Sequence, residues 1–102
     1  MDGTTESYAV VWSVGRDIHS GRLDLHAGGL ELHGRDTVLR LCFRDVSGAS
    51  IGRGRDERLR GLPVLRLAGS GGTSIRIASL QGAGVLHELA HAVERAGLTV
   101  AA

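Results

Sequence analysis

The chain contains no lysine; all twelve of its basic residues are arginine. It also has only one cysteine, one proline, and one each of Trp, Tyr and Phe. Each shortage excludes something. A single cysteine, Cys42, cannot close an intramolecular disulfide, so packing must hold the fold, and a reducing cytoplasm is the expected setting. Cys42 falls inside an apolar run and is expected to be buried. One proline beside sixteen glycines predicts tight turns and no Pro-rich tail. So few aromatics leave no stacking platform for single-stranded nucleic acid. Twelve basic residues against eleven acidic ones, a net charge of +1, lack the basic excess of a nucleic-acid binder, so no nucleic-acid partner is expected. No run approaches the ~18–20 apolar residues of a transmembrane helix. The opening MDGTTES has neither a basic n-region nor an apolar h-region, which predicts no secretory leader.

What is present reads as one small domain, because 102 residues bury only about 60–70% of their unfolded surface and cannot support two cores. Residues 1–7 are expected to form a disordered lead-in, 8–98 the domain and 99–102 a tail. Residues 8–14, YAVVWSV, are rich in strand formers and set Tyr8, Val10, Trp12 and Val14 on one face. Residues 15–20 read as a polar loop. In residues 21–34, GRLDLHAGGLELHG, leucines alternate with polar residues on both sides of Gly28-Gly29, which suit a two-residue type I′ turn. That turn would place Leu25 against Leu32, His26 against Glu31 and Asp24 against His33, pairing opposite charges on the wet face. Those four polar residues could in principle hold a metal, but nothing nearby in the sequence closes such a site. Further strands are expected at 37–43, 46–52, 62–67 and 73–79, with 69–72 as a flexible hairpin loop. Seven short strands without a long crossover predict an antiparallel sheet bent into a partly open barrel or sandwich.

The closing stretch, residues 85–98, has the period of an amphipathic helix. Val85, Leu89, Val93 and Ala96 form its stripe, flanked by Leu86 and Ala92, and Gly97-Leu98 suits a left-handed stop. The expected class is therefore α+β, mainly β, with one C-terminal helix covering the sheet. On the polar arc, His87-Glu88-Leu89-Ala90-His91 matches HExxH, in which two histidines hold zinc and the glutamate acts as general base. A third ligand is required, and the one acid after His91 is Glu94 on the same helix. The histidines also point away from the stripe, with no chain expected to cover them. The expectation is a solvated polar face with no resident cofactor; a zinc hydrolase using Glu88, or a weak metal site at His87, His91 and Glu94, is the alternative.

Residues 53–60, RGRDERLR, carry Arg53, Arg55, Arg58 and Arg60. Their guanidinium forks could grip phosphate or carboxylate on an anionic lipid surface. The plainer expectation is a solvated hairpin tip in which Asp56 and Glu57 neutralise their neighbours.

Gly29-Leu30-Glu31-Leu32, residues 38–45 running into Val46, LPVLRL at 62–67 and the helix segment 86–93 together resemble the pleckstrin-homology-like superfold, in its small bacterial, GRAM-like form. The resemblance spans about residues 8–98. It implies a non-enzymatic module that binds a protein partner, itself or lipid. The eukaryotic family carries a Trp in the closing helix, whereas this chain has its Trp at position 12. It also uses a basic cluster around the first two strands, where this chain has Arg16 and Arg22 with Asp17 between them.

Overall fold

Strand β1 (Glu6–Val14) supplies the spine of the sheet, with β2 (Asp17–His26) on one side and β7 (Ser74–Ser79) on the other. The computed structural model describes residues 6–52, 54–69 and 72–101. Along the chain β3 (Gly29–His33), β4 (Val38–Cys42), β5 (Val46–Gly52) and β6 (Val64–Gly69) come between β2 and β7, and α1 (Ala83–Arg95) follows β7. Short 3₁₀ turns occupy Phe43–Asp45 and Arg55–Glu57. All seven strands pair antiparallel in the order β4-β3-β2-β1-β7-β6-β5, forming an open half-barrel with the helix laid across its concave face. No helix among the described residues is long and apolar enough to cross a membrane.

Alternation decides which side chains face inward. Val10, Trp12, Leu23, Leu25, Leu30, Leu32, Leu65, Leu67, Ile75 and Ile77 line the concave face and meet Leu86, Leu89, Ala92 and Val93 of α1. The buried helix stripe is rotated from the expected one: Leu86, Leu89, Ala90, Ala92 and Val93 are buried, while Val85 and Ala96 are only half-buried. A concave sheet wraps a wider arc of the helix than one a/d seam would cover. The helix stops as expected. Gly97 takes φ 122°, its N–H bonds Glu94 O, and Leu98 N–H reaches back to Val93 O at 3.2 Å. Leu98 is buried behind that last turn, closing a Schellman cap.

Three expectations change. Residues 17–20 are not a loop; they continue β2 and pair with 11–14 around a two-residue turn at Gly15-Arg16. The segment is polar because this end of the hairpin overshoots the core, leaving Ile18 49% exposed. Glu6 and Ser7 belong to β1 and pair with Leu25 and Asp24; the rest of the expected lead-in lies outside the described residues. Third, the β2–β3 turn uses Ala27-Gly28, so Leu25 faces Leu30 and Asp24 faces Glu31. Only Gly28 of the two takes a positive φ, 80°, which rules out type I′. The pairing moves by two residues, so every side chain keeps its face.

Gly21 permits the curl of the sheet. A Cβ there would lie 1.8 Å from the carbonyl oxygen of His33, which crosses β2 at this point and accepts a 3.1 Å hydrogen bond from Trp12 Nε1. This satisfies the indole N–H of a side chain only 2% exposed.

Candidate functional site

The convex face of the first hairpins gathers seven polar side chains from four strands. His33 Nε2 lies 3.2 Å from Asp24 Oδ2 and 3.3 Å from Glu31 Oε1. Arg22 Nε bonds both Asp24 oxygens at 3.0 Å, and Ser7 Oγ donates to Oδ1 at 2.7 Å. Arg40 Nε bonds Glu31 Oε2 at 3.0 Å, and His26 Nε2 stands 4.0 Å from Glu31 Oε1. Partial burial pushes the Asp24 carboxyl up, but the Ser7 and Arg22 hydrogen bonds and the Arg22 and His33 charges outweigh it and hold the group below its ordinary value.

Asp24, Glu31 and His33 form the one trio among the described residues whose donor atoms all lie within 4.8 Å, so they are the residues able to hold a cation. Arg22 and Arg40 already neutralise the two carboxylates, and an entering cation would stand beside both guanidiniums. As built, the group is a cross-strand charge network. The sequence identified Asp24, His26, Glu31 and His33 and their charge pairs, Asp24 with His33 and His26 with Glu31; it set each pair directly opposite, whereas they meet on the diagonal, with Asp24 directly across from Glu31. It missed Ser7, Arg22 and Arg40, whose membership depends on register across three strand pairs.

The HExxH residues lie on the opposite side of the molecule. His87, Glu88 and His91 are exposed on α1, and His91 Nδ1 is 3.6 Å from Glu94 Oε1. His87, His91 and Glu94 do not form a converging trio. One expectation fails here: chain does return over this face. Ala101 bridges Ser50 in parallel, with Ala101 N donating to Ala49 O at 2.8 Å and Ile51 N to Ala101 O at 3.3 Å. Val100 N donates to Glu94 Oε2 at 3.4 Å. The returning segment bounds a groove of about 490 Å³ lined by Ile51, Ala90 and Val100 with His87, His91 and Glu94 at its polar rim. Eleven residues suffice because a Gly97 turn reverses the chain onto the edge of β5.

The arginine loop is not a solvated tip either. Leu59 is 2% exposed and packs with Val11, Val64 and Ala78 on the convex face, drawing residues 54–62 across the sheet. Arg58 Nη1 bonds Gly61 O and Arg60 Nη1 bonds Ser20 Oγ, both at 3.0 Å, while Arg55 is exposed. Arg53 lies outside the described residues. Among the described residues Glu57 pairs with Arg66 of β6 at 2.9 Å and with no loop arginine. Arg58 and Arg60 therefore act as struts.

Cys42 is exposed, not buried, because it lies on the convex side of edge strand β4, where no layer covers it. The two sheet edges differ. β5 is met by Ala101, whereas β4 has β3 as its one partner among the described residues. Outward along β4 stand Val38, 51% exposed, Arg40 and Cys42.

No family model matches the chain, and no curated protein does. Its fold is similar to that of the crystallographically determined C-terminal domain of an unknown protein from Leishmania infantum, with a TM-score of 0.65 at 13% identity over 88% of this chain and 84% of that one. At that identity the likeness is one of fold, and it establishes a curled antiparallel half-barrel as an architecture shared by two divergent sequences.

Proposed function

We propose that the chain is a cytoplasmic, non-catalytic interaction module of pleckstrin-homology-like type that takes an extended strand of a protein partner along the edge of β4. The contrast between the two sheet edges carries this reading. Ala101 meets β5 through two backbone hydrogen bonds, whereas β4 has β3 as its one strand partner among the described residues. An edge strand with open N–H and C=O groups is a template for another strand. Arg40 sits at the middle of β4, so self-pairing centred there would oppose two arginines, which destabilises the pair. A strand carrying an acid opposite Arg40, with apolar side chains toward Val38 and Cys42, fits this edge better. Seven strands followed by one helix support the pleckstrin-homology-like assignment, and a lone free cysteine supports the cytoplasm.

Selection of a random-peptide library on the purified chain tests the reading. Enriched peptides should carry an acid, slow amide exchange in β4, and switch to basic residues when Arg40→Glu is used as bait. Enrichment unaffected by Arg40→Glu, or protection mapping away from β4, would overturn it.

The zinc-hydrolase alternative rests on Glu88, His87 and His91, whose exposure and spread do not favour it. One tightly held zinc per chain in untagged protein, lost in His91→Ala, would establish it instead. Anionic-lipid binding through Arg55, Arg58 and Arg60 is disfavoured by the use of Arg58 and Arg60 as loop struts.

A further inference from the structure

On the convex face, β6 and β7 place Arg66 directly across from Arg76. Ser13 of β1 stands across from Arg76, and Ser50 of β5 across from Arg66, so the row reads Ser13, Arg76, Arg66, Ser50 over four strands. Like charges directly opposed across a ladder destabilise it, and the short hydroxyls on either side carry no countercharge. Glu57 reaches Arg66 Nη1 at 2.9 Å, from a side chain 36% exposed. Arg76 has no carboxylate partner among the described residues; its Nε donates to Ser13 Oγ at 3.2 Å. The row therefore holds two guanidiniums against one carboxylate. Above it lies an open depression of about 440 Å³ lined by Gly15, Glu57, Arg66, Ser74 and Arg76.

We infer that this depression is a receptor for a phosphate monoester, gripped by the forks of Arg66 and Arg76 with the Ser74 hydroxyl as a further donor. Each guanidinium offers parallel N–H groups that match two oxygens of a tetrahedral oxyanion. A dianion lying between them turns one repulsion into two attractions. Glu57, on a short exposed turn, occupies the same guanidinium when no ligand is bound and must swing outward to admit one. The depression is wider than a bare phosphate needs, so an ester fits. This site is separate from the β4 edge, and either can fail without the other.

Amide chemical-shift titrations with inorganic phosphate and glycerol 3-phosphate, at matched ionic strength against chloride, provide the test, together with flotation on phosphatidylcholine vesicles containing phosphatidic acid. Saturable shifts are expected at residues 13–15, 66 and 74–76. Arg76→Gln and Arg76→Lys should each weaken binding about tenfold or more, since both lose a charge-assisted fork. Glu57→Gln should strengthen it by removing the internal competitor, and Arg35→Gln, at the exposed β3–β4 turn, should leave it unchanged. In chloride alone Arg76→Gln should melt no lower than the parent, because it relieves the opposed charges, so a loss of binding would not reflect unfolding. Binding of the soluble ester identifies a free phosphate compound as the ligand source. Binding of vesicles alone, lost in Arg76→Lys, identifies a lipid headgroup. No saturable response in either arm, shifts centred elsewhere, or equal weakening by Arg35→Gln and Arg76→Gln would overturn the inference.

Discussion

The turn end of the β2–β3 hairpin, residues 24–33, and helix α1 each carry two histidines and two carboxylates, His26, His33, Asp24 and Glu31 on one and His87, His91, Glu88 and Glu94 on the other. The helix holds the textual match to a zinc site, yet the hairpin brings its donors to 3.2–3.3 Å. A helix displays its i and i+4 residues to whatever faces them, and here that is solvent and a four-residue return of the chain. Strands supply neighbours of their own. β1 contributes Ser7, β2 Arg22 and β4 Arg40, and each restrains a carboxylate from a different side. Convergence of polar groups is thus a property of how many backbones surround them, and a linear motif on one exposed element does not provide it.

The largest expected effect that would break this contrast lies at Gly21. Gly21→Ala would force a Cβ onto the His33 carbonyl, 1.8 Å away, and disrupt both the hairpin and the Trp12 hydrogen bond. A loss of about 3 kcal/mol or more is expected in urea denaturation. The contrast fails if Gly21→Ala is tolerated.

Next comes the charge network. Asp24→Asn should cost about 1–3 kcal/mol, because Arg22 loses its ionised acceptor and the Ser7 bond weakens. Glu88→Gln, on the exposed arc, should stay within about 0.5 kcal/mol. Equal costs for the two, in the same denaturation measurement, would mean that the helix face is as structured as the hairpin.

The same carboxyl predicts an acid dependence. Its value in the folded protein lies below the ordinary 3.8, so its contribution is fully present above that value and is lost as pH falls through the folded one. Melting temperature followed down from pH 5 should fall less steeply for Asp24→Asn than for the parent. Parallel profiles would assign acid sensitivity to other groups. The smallest effect is Gly84→Ala in α1. No atom lies within 4 Å of the new Cβ, and helix propensity favours alanine by up to about 1 kcal/mol, so a modest rise in melting temperature is expected.

Much of the fold could be read in the residues themselves. Strict alternation around the first glycine pair assigned the hairpin side chains of residues 23–33 to their faces, and that survived a two-residue change of register because strand periodicity is two. The apolar period and Gly97 located the helix and its stop. Where polarity was taken for a loop, at 17–20, the residues form a strand beyond the core. Where an apolar run was taken as burial, at Cys42, the strand is an edge. The candidate sites were less visible. Arg66 and Arg76 are ten positions apart and meet only through the β6–β7 register.

By itself the sequence determined element type, strand count and the identity of the inward faces, because these follow from local periodicity and from the turn chemistry of glycine. Tertiary structure alone decided which charged groups meet, and that Ala101 covers the β5 edge while β4, among the described residues, pairs with β3 alone. Those outcomes depend on strand order and register, which couple residues far apart along the chain and are selected by the packing of the whole sheet around its helix.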